Sequence, residues 1–222
     1  MIPIRDVIPS RTTPLVTVLI ILINAAVFLY QQTLGEAELT AFVYRYALVP
    51  VTFSLPAVLT SMFMHGDWMH FLGNMWFLWI FGDNVEDRVG HGRFVPFYLL
   101  CGAAAALAQV WISPASRVPM VGASGGIAGV MGAYFVMFPH SRVLTLVPIF
   151  FFIELIEVPA IFFLGIWFLL QFLSGVTSLG VARAQDVGGV AFWAHVAGFV
   201  AGVIWIFVFR RPERQRVEWF DM

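Results

Sequence analysis

Residues 121–134, VGASGGIAGVMGAY, place one serine hydroxyl inside a glycine-rich apolar segment. Five of the fourteen residues are glycine, and Ser124 lies between Gly122 and the pair Gly125 and Gly126. Small residues let transmembrane helices pack closely, whereas glycines beside a serine let a peptide approach a nucleophile. The second explanation predicts that a base lies near the serine.

Two other apolar segments contain groups that could act with this serine. His70 and Asn74, in HFLGN, are spaced i and i+4 and therefore share one face of a helix. His195 lies in AHVAGFVAGV, beside a small-xxx-small pattern that includes Gly198 and Gly202. Because polar and ionisable groups inside a membrane span are costly, their presence indicates function.

Composition indicates that lipid is the main solvent of this chain. Of its 222 residues, 60% are hydrophobic and 11% are charged, which leaves too little polar surface to coat a soluble globule. Arginine supplies all twelve basic charges and the net charge is -1, so the chain lacks the basic field with which proteins bind nucleic acids. The sequence predicts an integral membrane protein with no nucleic-acid partner.

Long uncharged intervals predict the membrane spans. A hydrocarbon core about 30 Å thick requires about 20 residues of helix, and five intervals without Asp, Glu, Lys or Arg are long enough. A sixth contains Asp67 and His70, but its Trp and Phe content is typical of a span with a polar outer half. The predicted fold is all-α, a single polytopic domain over residues 1–222 with six transmembrane helices. The spans are approximately residues 14–32, 60–82, 94–113, 122–139, 159–175 and 190–209.

The arginines predict the orientation of the bundle. With both termini inside, nine arginines fall on inner segments and three on outer ones, in agreement with the positive-inside rule. The short N-terminus and the basic tail RRPERQRVEWF are then cytoplasmic. We expect residues 46–59, which contain two prolines, to form a structured outer loop, and residues 143–160 to form an inner loop with some extended character.

This topology brings the polar residues to one depth. Spans two, four and six all run from outside to inside, and Ser124 and His195 both lie in the outer halves of theirs. At a rise of about 1.5 Å per residue, they fall within about two helical turns of His70 and Asn74. Packing alone does not require these groups at one depth, so the joint pattern favours chemistry.

The chemistry that suits these groups is acyl transfer. A serine hydroxyl becomes a nucleophile when a neighbouring base takes its proton, and neutral imidazole suits that task. Ser124 and His195 would form a dyad, because no Asp or Glu is placed to orient the histidine. The Ser124 backbone N–H, the Asn74 amide and the His70 ring are the candidate donors to an oxyanion.

The glycines divide between two expected roles. Peptide access to the serine best explains Gly122, Gly125 and Gly126. Gly198 and Gly202 are expected to pack span six against span four. We expect span five and the glycine-rich segment before span six to move when a substrate enters.

Three segments, in this order, resemble the rhomboid family of intramembrane serine proteases. They are HFLGN in span two, GASGG in span four and AHVAGFVAG in span six, spaced as in a bacterial six-span rhomboid core. GASGG alone is weakly specific, whereas the ordered set is strong. The resemblance covers residues 59–209 and implies hydrolysis of a peptide bond in or beside a substrate's transmembrane helix, without a metal or cofactor.

The resemblance also implies a role for each matching residue. Ser124 is the nucleophile and His195 the general base, and His70 and Asn74 complete the oxyanion hole with the Ser124 backbone. The aromatic residue with which the family often supports the catalytic histidine is replaced by Ala128. The Trp-Arg pair common in the family's first outer loop is also missing.

The implied partners are single-span or polytopic membrane proteins as substrates, and the lipid bilayer. The bare six-span core favours a prokaryotic plasma membrane, with an organelle membrane as the alternative, and the active site is expected to open toward the outer side. The sequence makes no prediction of the oligomeric state.

Three other functions are weighed against this one. A rhomboid-like protein that binds membrane helices without cutting them usually lacks the serine or the histidine. A transporter or channel would carry polar residues through the whole membrane depth, whereas the inner halves of spans four and six are almost wholly apolar. A zinc protease is disfavoured, because HExxH is absent and His65 and His70 are five residues apart.

Overall fold

Apolar helices form the body of the protein. A computed structural model of the chain describes residues 1–149, 152–179 and 191–211. The helices in chain order are α1 (Leu15–Thr33), α2 (Glu36–Tyr46), α3 (Leu55–Thr60), α4 (Trp68–Val89), α5 (His91–Ile112), α6 (Ser124–Met137), α7 (Ala160–Leu179) and α8 (Phe192–Phe209), with 3-10 turns at Pro50–Thr52 and Ser61–Phe63.

Within the described residues, four helices are long and apolar enough to cross a membrane, namely α1, α5, α7 and α8. The apolar helix α6 is shorter, with 14 residues, and α4 carries acidic residues in its last two turns. The chain is therefore a mostly helical integral membrane protein. Six complete crossings and their orientation stay a prediction.

The second predicted span, residues 60–82, is wrong as one continuous helix. It divides into the end of α3, the turn Ser61–Phe63 and the first part of α4. α4 begins at Trp68 because Asp67 caps it, with Oδ1 of Asp67 accepting the His70 backbone N–H at 2.8 Å. The helix then continues to Gly90, whose φ of 88° ends it.

A three-stranded sheet departs from the predicted all-α fold. β1 (Ile2–Asp6) pairs antiparallel with β2 (Arg142–Ile149), which pairs antiparallel with β3 (Phe152–Pro159). The strands are rich in Val, Ile and Leu, and β-branched residues suit a pleated surface. Extended structure in residues 143–160 was expected, but the pairing with the N-terminus was not, because β1 is too short to show a periodic pattern.

Both ends of the described chain lie at one end of the helix bundle, which we call the basal end. The Asp87 carboxylate at the end of α4 accepts the backbone N–H groups of Arg11 and Thr12 at 2.6 and 3.1 Å. The Arg211 N–H, after α8, donates to the Arg88 carbonyl at 2.9 Å. Since α6 leads directly into β2, helices α4, α6 and α8 all end there and run in the same direction.

A buried carboxylate joins α1 to α4. Glu86 is 1% exposed, and it accepts the N–H groups of Val16 and Thr17 at 2.9 and 2.7 Å and the Thr17 hydroxyl at 2.7 Å. These first-turn N–H groups have no acceptor within their own helix. Glu86 therefore caps α1 from outside, with its negative charge at the positive end of the helix dipole.

The opposite, distal end holds the segment that leads into α6. Leu48 and Met120 exchange backbone hydrogen bonds of 3.1 and 2.8 Å. Residues 46–59, expected as a structured outer loop, contain a 3-10 turn and α3 and thus brace the chain just before Ser124.

Two expectations concern residues outside the described ranges. The glycine-rich segment expected to move on substrate entry falls largely on residues 180–190, and most of the basic tail falls on residues 212–222.

Candidate active site

Helices α6 and α8 pack with their backbones in contact. A Cβ at Gly198 would collide with the carbonyl oxygen of Gly125, and a Cβ at Gly202 with that of Gly129. Glycine is therefore required for this approach. The contact brings the first turns of both helices together at the distal end.

Ser124 and His195 meet at the distal end of this contact. Ser124 is the first residue of α6 and His195 lies in the first turn of α8. Ser124 Oγ is 2.8 Å from His195 Nε2, and the pair is partly buried. At this distance the hydroxyl can donate its proton in a hydrogen bond to an unprotonated Nε2.

The other nitrogen of His195 contacts a residue that the sequence analysis missed. His195 Nδ1 lies 2.8 Å from Oε1 of Gln171 on α7. Trp167, one turn earlier on α7, places its ring centroid 5.9 Å from that of the imidazole, at an interplanar angle of 33°. The sequence signal that could have identified Gln171 is a single amide inside the apolar run IFFLGIWFLLQFL.

Gly122 brings the segment before Ser124 against α4. Its φ of 130° is one that residues with a side chain rarely adopt, and its N–H donates to the Ser61 carbonyl at 2.9 Å. A Cβ on Gly122 would lie 2.7 Å from His70 Nε2 and 3.6 Å from Asn74 Nδ2. His70 and Asn74 thus face the chain two residues before Ser124.

Asn74 has an unused donor at this position. It is 8% exposed, and its buried Nδ2 has no hydrogen-bond partner in the part of the chain that the structure describes. Since buried amide donors are normally bonded, this one is available to a negative oxygen. The neighbouring His70 packs edge-on against buried His65, with ring centroids 5.2 Å apart, and interacts electrostatically with His195.

Gly125 and Gly126 face α5 and not open space. A Cβ on Gly125 would lie 2.6 Å from the Ala105 Cβ, and one on Gly126 would lie 2.8 Å from the Tyr98 ring. Helix packing is sufficient to explain both glycines. Their role in peptide access, expected from the sequence, stays a prediction.

Comparison with known proteins identifies a family whose domain covers the site. The sequence matches the Rhomboid domain over residues 52–212, a range that includes Ser124, His195, Gln171, His70 and Asn74. The chain belongs to the rhomboid family. This assignment confirms the resemblance read from the three sequence segments.

Three relatives show how this rhomboid domain compares with longer proteins. Rhomboid protein 1, mitochondrial, of Saccharomyces cerevisiae is 28% identical over 201 residues, which cover 87% of this chain and 53% of that protein. The presenilin-associated rhomboid-like protein, mitochondrial, of Mus musculus is 31% identical, with 67% and 37% covered. Rhomboid protease GluP of Bacillus subtilis is 38% identical over 76 residues, with 34% and 14% covered. The rhomboid chain spans about half the length of these relatives, or less.

The relatives do not favour the expected prokaryotic plasma membrane. The mitochondrial proteins of yeast and mouse match over 201 and 157 residues, against 76 for the bacterial protease, and a relative from Arabidopsis thaliana is named chloroplastic. Location in a membrane follows from the apolar helices, whereas the kind of membrane does not follow from the family.

Proposed function

We propose that this rhomboid domain is an intramembrane serine endopeptidase, with Ser124 as nucleophile and His195 as general base. The observation that carries the proposal is the 2.8 Å separation of Ser124 Oγ and His195 Nε2. A serine paired with a neutral imidazole is the arrangement by which unrelated hydrolases activate a hydroxyl. The name of the Bacillus subtilis relative, Rhomboid protease GluP, agrees with this activity.

In the first step, His195 Nε2 takes the Ser124 proton while Oγ attacks the carbonyl carbon of the scissile peptide bond. The tetrahedral intermediate collapses when protonated His195 gives that proton to the leaving amine. Water, with His195 again as base, then hydrolyses the Ser124 ester. These side chains and water complete the reaction.

Three donors would stabilise the oxyanion. The Ser124 N–H has no acceptor within α6, because it belongs to the first turn, and it lies at the positive end of the helix dipole. The Nδ2 donor of Asn74 is buried without a partner among the described residues, and the His70 ring lies beside it against Gly122. Preorganised donors of this kind act strongly where water is excluded.

The proposed substrates are single-span or polytopic membrane proteins, cleaved in or beside a transmembrane helix. The site lies at the first turns of α4, α6 and α8, so it would meet a substrate near one face of the bilayer. With the arginine-rich basal end inside, as the positive-inside rule predicts, the site opens toward the outer side.

Cleavage of a single-span substrate by the purified protein in proteoliposomes tests this proposal. We expect Ser124→Ala and His195→Ala each to reduce kcat by about 10⁴-fold or more, as in other serine hydrolases. A fluorophosphonate should label Ser124 in the wild type and neither variant. The matched controls are Ser54→Ala, at an exposed serine without a capping bond, and His140→Ala, at an exposed histidine.

Both controls should cleave like the wild type. A folded Ser124→Ala protein that cleaves at the wild-type rate would refute the nucleophile, and cleavage blocked by a strong metal chelator would indicate metal chemistry instead.

A further inference from the structure

We propose that Gln171 is the positioning residue of the base. Through its side-chain oxygen it holds the proton of His195 on Nδ1 and so leaves Nε2 free to accept the proton of Ser124. The inference rests on the proposed function and deepens it, because it adds a third side chain to the Ser124–His195 dyad expected from the sequence.

The two nitrogens of the His195 imidazole have different roles. A neutral imidazole has one N–H donor and one acceptor nitrogen. His195 Nε2 can accept from Ser124 Oγ, 2.8 Å away, only when the proton is on Nδ1. Gln171 Oε1 lies 2.8 Å from Nδ1, and an amide oxygen can only accept. The contact therefore selects the tautomer that the base requires.

Packing holds Gln171 in place. Near it on α7, the Gly175 carbonyl accepts the Trp193 indole N–H at 3.2 Å, and Phe172 meets the Trp193 ring edge-on at 5.7 Å. Because Trp193 belongs to the same turn of α8 as His195, these contacts join the two helices next to Gln171. A preorganised neighbour orients a side chain with little loss of entropy.

Trp167 packs beside the imidazole of His195 and restricts its rotation. Its ring lies beside the imidazole, whereas Ala128, at the position where the family often has an aromatic residue, is fully buried among helices. Helix α7 therefore supplies both the hydrogen-bond acceptor and the aromatic neighbour of His195. Rotation of the imidazole away from Ser124 would break both contacts.

The acceptor that contacts His195 Nδ1 is a neutral amide, and a carboxylate there would change the protonation of the base. An amide fixes the tautomer without adding a negative charge that would favour protonated imidazole. Among the described residues, His70 on α4 is the titratable group that interacts electrostatically with His195, while Ser124, Gln171 and Trp167 face it without charge. A carboxylate at position 171 would therefore be the first negative charge in contact with the base.

The tautomer of His195 can be measured without any cleavage. In protein labelled with ¹⁵N-histidine, two-bond proton–nitrogen spectra distinguish the two tautomers, and His195→Ala assigns the signal. We expect the Nδ1–H form in the wild type and a mixture of tautomers in Gln171→Leu, which keeps the side-chain volume without an acceptor. An Nε2–H form in the wild type, or an unchanged tautomer in the leucine variant, would overturn the inference.

Kinetics provide a second readout. Gln171→Leu should lower kcat about tenfold with KM unchanged, the size expected from losing one neutral hydrogen bond. Gln171→Glu should keep most of the activity but move the acid limb of the pH profile upward by about one unit, because the carboxylate stabilises the protonated base. Gln32→Leu, at an exposed amide on α1, is the matched control and should match the wild type.

The two proposals fail differently. An unshifted acid limb in Gln171→Glu, or wild-type kcat in Gln171→Leu, contradicts the role of Gln171 alone. A wild-type protein that neither cleaves nor reacts with a fluorophosphonate, yet shows the tautomer switch, contradicts the proposed function and leaves the orienting contact intact.

Discussion

Hydrogen-bond partners distinguish the buried amides of this protein from one another. Asn84 Nδ2 donates to Asp6 and Asp83, and Asn24 Nδ2 donates to the Ile20 carbonyl of its own helix. Among the described residues, Asn74 Nδ2 is buried without a partner. Under the proposed function, this unused donor would stabilise the transition state without strengthening the resting fold.

We expect Asn74→Ala to lower kcat by about 10²- to 10³-fold, the usual cost of one oxyanion donor. KM and the melting temperature should change little, because no hydrogen bond of the Nδ2 donor is lost. The same peptidase assay, with Asn24→Ala as the buried-amide control, measures this. A loss of stability that accounts for the whole loss of cleavage would assign Asn74 a structural role instead.

At the scale of the elements, the contact between α6 and α8 positions Ser124 against His195. The carbonyl oxygens of Gly125 and Gly129 occupy the space that side chains at Gly198 and Gly202 would need. Because Ser124 and His195 lie at the ends of the same two helices, a small separation of the helices lengthens their hydrogen bond. Helix packing and chemistry are thus coupled through one interface.

Gly202→Ala should separate α6 from α8 and lower the free energy of unfolding by about 1–3 kcal/mol, the usual cost of overpacking. Cleavage should fall together with the melting temperature in detergent. Gly73→Ala is the control, because no atom of the described residues lies within 4 Å of a Cβ there and alanine favours the helix. Wild-type stability of Gly202→Ala would show that the interface between α6 and α8 can accommodate a side chain at this position.

Across the whole molecule, the N-terminal strand joins elements that are distant in the chain. Asp6 Oδ2 accepts the Tyr134 hydroxyl at 2.7 Å and the Asn84 amide at 2.8 Å, and the Pro3 carbonyl accepts the Trp76 indole N–H at 2.7 Å. Burial, with repulsion from Asp83 as a further cause, raises the pKa of Asp6 to about 6 from its usual 3.8.

This raised pKa predicts a pH-dependent stability. The folded protein holds the Asp6 proton more tightly than the unfolded chain does, so the stabilisation is complete below about pH 4 and is lost as the pH rises through about 6. Asp83 on α4 and Tyr134 on α6 are the titratable groups that face Asp6. Between pH 4.5 and 7, the melting temperature of the wild type should fall more than that of Asp6→Asn. Equal slopes of melting temperature against pH in the two proteins would contradict the assignment of this pH dependence to Asp6.

The sequence was sufficient to predict the features whose signal lies in residues close together in the chain. Composition identified a membrane protein, and the uncharged intervals located α1, α5, α6, α7 and α8 to within a few residues. They did not predict α2, and Asp67 starts α4 inside the second interval. The small residues of AHVAGFVAGV indicated an interface, and the order of three short segments indicated the rhomboid family. Each of these signals lies in neighbouring residues or in a repeat along one helix.

The tertiary structure decided what depends on contacts between distant residues. Tyr134 meets Asp6 across 128 positions, a pairing for which the short strand IPIRD offers no periodic signal. Gln171 is one amide in an apolar helix, and only the packing of α7 against α8 shows that its oxygen reaches His195, 24 positions away. The residue types in the sequence thus indicate the proposed chemistry, and the packing of the helices decides which neighbour contacts the proposed base.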